Sequence, residues 1–317
     1  MIDFSLSPEQ EMIQKMSRDF AREQLSPGVL ERDKNSIFPA QQIRKMGELG
    51  LMGMMVPNKW EGAGLDALAY VIAIEEIAAV ELATSTIMSV NNSLVCQVLL
   101  DSGSENQKDL FLKSLAKGEK LGAYSLSEPQ SGSDAGNMKT FAEKDGDSYI
   151  INGSKNWVTS GINSDLVILF CLTEKGVGSK GVSCFILEKE TDGFTVGKKE
   201  EKLGIRASDT SELFFENCRV SKQNRIGAEG EGFTIALKVL AGGRIGIGAQ
   251  AVGLARGALE KATAYAKERQ QFGKPISKFG AIQNKIAKMA TNIDAARLLV
   301  WQAAYLKDQG EKYVKQS

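Results

Sequence analysis

Two short polar segments hold the residue types from which a site could be built. The first runs Ala123-Tyr124-Ser125-Leu126-Ser127-Glu128-Pro129-Gln130-Ser131-Gly132-Ser133-Asp134 and concentrates hydroxyls, glycine and two acids. Such a run can offer backbone N–H groups and hydroxyls to a polar ligand without net positive charge. The second, Asn152 to Gly161, sets Trp157 and Thr159 two residues apart. In a strand those side chains share one face. An indole beside a hydroxyl suits a flat heteroaromatic ring with polar edges. Taken singly, each segment is more commonly a turn or a structural hydroxyl cluster. No histidine occurs in the 317 residues, which excludes Ser–His, Cys–His and histidine–metal chemistry. Acid–base work would fall to carboxylates, lysine, tyrosine or a cofactor.

Other features narrow the field. Cys96, Cys171, Cys184 and Cys218 are widely spaced and form no C-x-x-C pair, so they read as buried thiols rather than zinc ligands. Lys plus Arg is 39 and Asp plus Glu is 39, so charge gives no case for nucleic acid or an anionic membrane. Gly246-Ile247-Gly248-Ala249-Gln250-Ala251 matches a variant dinucleotide fingerprint. That motif requires an entering strand, whereas Gly242-Gly243-Arg244 precedes it and an Ala-rich helical pattern follows. Glycines for close helix packing are the better account. The first residues, Met1 to Ser5, have no basic or apolar leader, and no run of eighteen apolar residues occurs. These points predict a cytoplasmic bacterial protein with no membrane span.

The elements that must position the two segments follow from patterning. Ser7-Pro8-Glu9-Gln10 is a helix start with a capping box, and Ile13, Met16 and Phe20 continue at helical spacing. Further helices are predicted over Pro39–Glu48, over Asp66–Val80 and after Ser104, whose partner is Gln107. From Gly122 the pattern turns to short β-branched runs, with turn signals at Asp145-Gly146 and Asn152-Gly153. Near Gly232 helical texture returns. The fold class is therefore α+β: an N-terminal α-helical domain (1–121), a middle antiparallel β-sheet or barrel domain (122–231) and a C-terminal helical bundle (232–317), incomplete in this chain.

Together and in this order, these segments resemble the acyl-CoA dehydrogenase family, most of all its short-chain, butyryl-CoA branch. The likeness runs along the whole chain. It is carried by Tyr124–Asp134, Asn152–Gly161, Gly204-Ile205-Arg206-Ala207-Ser208, Gly243–Ile247 and Arg269-Gln270-Gln271-Phe272-Gly273. The resemblance implies an oxidoreductase with FAD that desaturates an acyl-CoA thioester to trans-2-enoyl-CoA in fatty acid β-oxidation. A carboxylate takes the α-proton while the β-hydrogen leaves as hydride to the flavin. Electrons then pass to an electron-transfer flavoprotein. By motif matching, Tyr124, Leu126 and Ser127 line the flavin, Gly132 borders its diphosphate and Ser133 the pantetheine arm. Trp157 covers one flavin face, and Thr159 bonds near N5. Arg269, Gln271 and Phe272 reach FAD bound in a neighbouring subunit of a homotetramer, and Arg244 lies by the thioester.

One departure matters most. The family's catalytic glutamate sits in a C-terminal Tyr-Glu-Gly-Thr motif or, in a minority branch, directly before the arginine matching Arg244. The first motif does not occur here and the second position is Gly243. No catalytic residue is therefore assigned within the chain, and the resemblance puts the glutamate beyond Ser317. Glu128 and Asp134 are motif acids expected to be structural. By themselves these residues are predicted nearly inactive. Two other possibilities stand beside the dehydrogenase: a non-catalytic binding or assembly protein of the same family, and a flavin oxidase on the same fold.

Overall fold

The computed structural model describes residues 5–317; the leaderless start inferred from Met1 to Phe4 lies outside the described residues. The first helix, α1 (Pro8–Phe20), opens with Ser7 and Gln10 bonded reciprocally as a capping box. It continues as a π-turn, Ala21–Leu25, before α2 (Val29–Asn35) and α3 (Ala40–Glu48). Asp66 caps α4 (Ala67–Ala78), and α5 (Leu82–Ser89) follows. Helices α6 (Gln97–Ser102), α7 (Glu105–Gln107) and α8 (Lys113–Ala116) complete the first run, with Ser104 and Gln107 forming the second capping box.

The strands are β1 (Gly122–Ser125), β2 (Phe141–Asp145), β3 (Ser148–Thr159), β4 (Leu166–Leu172), β5 (Val182–Glu188), β6 (Phe194–Lys199), β7 (Thr210–Ser221) and β8 (Arg225–Ile226). They form one sheet in the order β6-β7-β3-β2-β4-β5-β8, with β1 also on β4. Most pairs are antiparallel, as the short runs predict. Two are parallel: β1 lies along Leu166–Leu169 of β4, and Phe141 of β2 meets Leu172 farther along the same strand. Parallel neighbours need a long connection, which the β2–β3 hairpin provides. One edge of β4 is thus shared by β1 and β2, and segment 126–140 leaves the sheet where they part. The strand residues Val167, Leu169, Phe185 and Leu187 form an apolar core on one face. Leu166, Ile168, Cys184 and Ile186 alternate onto the other, against Val98, Leu99 and Leu115 of the helices.

Asp145-Gly146 is a hairpin turn, with Gly146 at φ 60°. Asn152-Gly153 is not, which corrects the turn expected there. It lies inside β3, which pairs with β7 on both sides of it, opposite an extra residue in β7. Asn152 uses its side chain to accept the Asn217 N–H at 2.8 Å. Gly153, at φ 145°, packs on Thr140 so closely that a Cβ would overlap it.

After β8 come α9 (Gly232–Glu268), a short hairpin of β9 (Gln270–Gln271) and β10 (Lys274–Pro275), and α10 (Gly280–Asp308). The fingerprint-like glycines sit within α9, with no strand before them. Gly253 and Gly257 abut the backbone of Glu75 and Ala79, which is close helix packing of the kind only glycine permits. One 18-residue window of α9 is apolar enough to cross a membrane by length and composition, with mean hydropathy 1.3, and 61% of it is buried inside the protein. The chain divides into two compact units, Met1–Val29 with Asp66–Thr86 and Arg244–Ser317, and Leu30–Leu65 with Ile87–Gly243. In the first unit, Glu75 and Glu76 of α4 are buried among Arg18, Arg256 and Arg297. In the second, all four cysteines are buried. Burial pushes the thiols of Cys96 and Cys171 up to about 12 and that of Cys218 to about 11, with Cys184 well above its ordinary value.

Candidate functional site

The site is built on the split edge of β4. Tyr124 lies on β1 with its ring 5.0 Å from that of Phe170, and its hydroxyl is buried without a hydrogen bond among the described residues. Burial holds that phenol well above its ordinary value, so it stays protonated and able to donate. Leu126 and Ser127 follow, half-buried, and Gly132 and Ser133 lie exposed at the tip of the segment. Nothing lies within 4 Å of where a Gly132 Cβ would sit.

The second wall is the end of β3, and its geometry depends on a bulge. Between Lys155 and Val158 the register with β7 slips by one residue. Before the slip Tyr149, Ile151 and Lys155 are buried; after it Val158 is. Trp157 takes a left-handed backbone, φ 60°, which a bulky residue rarely adopts. The slip swaps the phase of the strand. Trp157 and Thr159 therefore do share a face, as their spacing predicts, but it is the face turned away from the core. Trp157 is 63% exposed.

The two walls are joined directly. The Asn156 N–H donates to the Ser127 carbonyl at 2.9 Å, and the Asn156 side chain donates to Glu212 at 3.0 Å. Beyond Thr159, Asp209 accepts from the Ile162 N–H at 2.9 Å and the Asn163 amide at 2.8 Å, fixing the turn that follows the strand. Patterning did not reveal Asp209, which is distant in sequence, or Lys155. Lys155 did carry a signal, since it falls in phase with Tyr149 and Ile151 on the buried side of β3.

Glu128 has the structural role expected of it. Its carboxylate is buried against Lys155 at 2.8 Å and accepts the N–H groups of Lys139 at 2.6 Å and Thr140 at 3.0 Å. Burial works to raise it, but the Lys155 charge and these bonds hold it below its ordinary value. A carboxylate so engaged is a poor general base. Asp134 is exposed and lends its backbone carbonyl to the Ser131 hydroxyl at 2.8 Å.

The remaining predicted residues lie on the other unit. Arg244 is exposed on α9. Arg269, Gln271 and Phe272 share the β9–β10 hairpin and are exposed. Phe272 and Gly273 both have positive φ, 52° and 76°, and form its two-residue turn, with Phe272 92% exposed. In the unit of the sheet, Gly204–Ser208 is a loop in which Ile205 has φ 55° and the Arg206 N–H donates to Asp33 at 3.0 Å. A surface recess of about 550 Å³ lined by Arg44, Gly47, Glu48, Lys117, Gly118 and Glu119 shares no residue with the site; the chemistry favours the β4 edge. Among the described residues no cluster of acids and thiols could hold a metal ion.

The arrangement offers an exposed indole, a hydroxyl beside it, an unpaired buried phenol and an open glycine-bearing tip. These suit a flat ring with polar edges joined to a bulky polar tail.

Three family models cover the chain: "Acyl-CoA dehydrogenase, N-terminal domain" over residues 7–119, "middle domain" over 123–218 and "C-terminal domain" over 230–316. The short-chain-specific acyl-CoA dehydrogenase of Clostridium acetobutylicum is 47% identical over 98% of this chain and 82% of its own length. A chain in a structure of the electron transferring flavoprotein of Acidaminococcus fermentans, a study of flavin-based electron bifurcation, superposes with a TM-score of 0.98 and 47% identity, over 99% of this chain and 83% of that one. Butyryl-CoA dehydrogenase from Megasphaera elsdenii does so with a TM-score of 0.97 and 42% identity, again over 99% and 83%.

Proposed function

This chain belongs to the acyl-CoA dehydrogenase family, and from that premise we propose that it binds FAD and desaturates a short-chain acyl-CoA to trans-2-enoyl-CoA. An electron-transferring flavoprotein is its electron acceptor. The observation that carries this proposal is the β3 bulge, which turns Trp157 and Thr159 outward beside Ser127 in a chain 47% identical to a short-chain-specific relative. The residues present fit FAD. Trp157 would cover one face of the ring, Thr159 and Ser127 would bond its polar edges, and Tyr124 would line it. Gly132 admits the diphosphate and Ser133 the pantetheine arm. By the resemblance, Arg244 would serve the thioester. Arg269, Gln271 and Phe272 meet the adenosine half of the cofactor of a second copy, so the working form is a homo-oligomer.

FAD, when bound, supplies the acceptor for the substrate's β-hydrogen as hydride. Donors from Ser127 and its neighbours favour charge gathering at that edge. Trp157 excludes water from the ring face. The 317 residues have no glutamate at either family position, and a Cβ at Gly243 would come within 2.9 Å of Leu94 Cδ2. With these residues alone, α-proton removal is slower by about 10²- to 10⁴-fold than with a positioned base.

Anaerobic addition of butyryl-CoA to the FAD-loaded chain tests this. A change in the flavin absorption on binding, followed by slow bleaching, is the expected result. No spectral response to any short-chain acyl-CoA would overturn the assignment, and rapid bleaching would overturn the expectation of low activity alone.

A further inference from the structure

Lys155 is a charged residue with no exposed surface, in the strand that carries Trp157 and Thr159. Its ammonium donates to the Leu126 carbonyl at 2.9 Å and to Glu128 Oε1 at 2.8 Å, and lies 3.9 Å from Met138 Sδ. Glu128 accepts in turn from the N–H groups of Lys139 and Thr140 and from the Gln130 side chain at 2.6 Å. One buried pair therefore grips both ends of segment 126–140. Leu126 and Glu128 are held at its start, and Lys139 and Thr140 at its end. Among the described residues, the exposed tip between them has only local hydrogen bonds, such as the paired backbone of Glu128 and Ser131.

Two apolar residues could fill this space without the desolvation cost of two charges. They could not bond three backbone groups at once. Lys155 also stands immediately before the bulge, and the next residue, Asn156, donates to the Ser127 carbonyl. Any shift of Lys155 moves both walls of the site together.

We propose that the Lys155–Glu128 pair is a positioning device, an inference that rests on the flavin reading above. It sets Ser127 and the Gly132–Ser133 tip at the height where they meet the same ligand as Trp157 and Thr159. Neither side chain touches that ligand. Their effect passes through the backbone of 126–140.

Lys155→Met alone leaves Glu128 buried without its counter-charge. The decisive variant is therefore Lys155→Met with Glu128→Gln, which removes both charges and keeps the side-chain volumes. Amide hydrogen exchange over residues 129–138 is measured on the FAD-free chain. FAD affinity is measured by quenching of flavin fluorescence, and the absorption spectrum of the bound flavin is recorded. In the double variant, exchange rises in 129–138 while the rest of the sheet keeps its protection. FAD binding weakens by about tenfold or more, and the absorption bands shift. Unchanged exchange or unchanged affinity in a folded double variant overturns the positioning role. Global unfolding of that variant also overturns it, because the pair would then serve overall stability. A wild-type chain that takes up no FAD overturns both this role and the flavin reading. A wild type that takes it up, matched by the double variant, overturns this role alone.

Discussion

The Arg297 guanidinium brackets the Glu75 carboxylate, with Nε 3.2 and 3.0 Å from its two oxygens and Nη2 3.0 Å from Oε1. The neighbouring Glu76 takes Arg18 Nη2 at 2.8 Å and Arg256 Nη2 at 2.7 Å. Two adjacent acids of α4 thus tie α1, α9 and α10 together. Because both acids are buried, removing one strands arginines rather than exposing a harmless surface. Glu75→Ala is expected to cost about 2–3 kcal/mol, below the range for fully buried pairs because the arginine ends keep some solvent. Denaturant unfolding checks this, and a loss under about 0.5 kcal/mol, ordinary for a surface change, would contradict it.

Trp157→Gly separates fold from function. The substitution removes a left-handed strain on the order of 1 kcal/mol and an indole that packs little against the protein. Melting is expected at the same or a higher temperature, with weaker FAD binding and an altered flavin spectrum. Thr159→Val should retune the spectrum without destabilising. Unaltered flavin content and spectrum in both variants would remove these residues from the site.

The pH response of the sheet unit follows from Glu128. Its folded-state proton affinity is below the ordinary value of 4.5, so the unfolded chain binds that proton more readily. The stability it contributes is present above 4.5 and is lost as pH falls through the ordinary and then the folded value. Lys155 is also shifted down, by burial first, so its term raises stability with pH on the alkaline side, below its ordinary 10.5. Denaturant midpoints from pH 6 to 3 should fall more steeply for the wild type than for Lys155→Met/Glu128→Gln. Parallel acid limbs would show that the pair is not the source.

Phe272→Asn tests the hairpin. Asparagine before Gly273 suits a turn in which both central residues have positive φ, so a gain on the order of 1 kcal/mol is expected. If Phe272 reaches a second copy, the same variant should lose assembly mass and retained FAD, read by light scattering and absorbance. Unchanged mass and flavin content would leave the phenylalanine without that role.

Local chemistry was legible wherever a few neighbouring residues decide it. The capping boxes at Ser7 and Ser104, the Asp145-Gly146 turn and the start of α9 at Gly232 all follow from short-range rules. Asn152-Gly153 departs from the predicted turn because the same dipeptide serves a turn or a bulge, and the partner strand decides which. The bulge at Trp157 was invisible for a related reason, since register is set by β7, some fifty residues away. Trp157 and Thr159 still share a face because Val158, between them, is the residue turned into the core. Glu128 stands out in the sequence and Lys155 does not, and their partnership needs segment 126–140 to fold back on itself.

The four buried thiols make the chain its own stopwatch. With their acidities suppressed and their sulfurs enclosed, alkylation can proceed only through molecules that have opened. All four lie between residues 96 and 218, in the unit that holds the sheet, and none in the unit of α1, α4 and α10. A labelling time course would therefore count openings of the sheet unit while staying blind to the helices of the other.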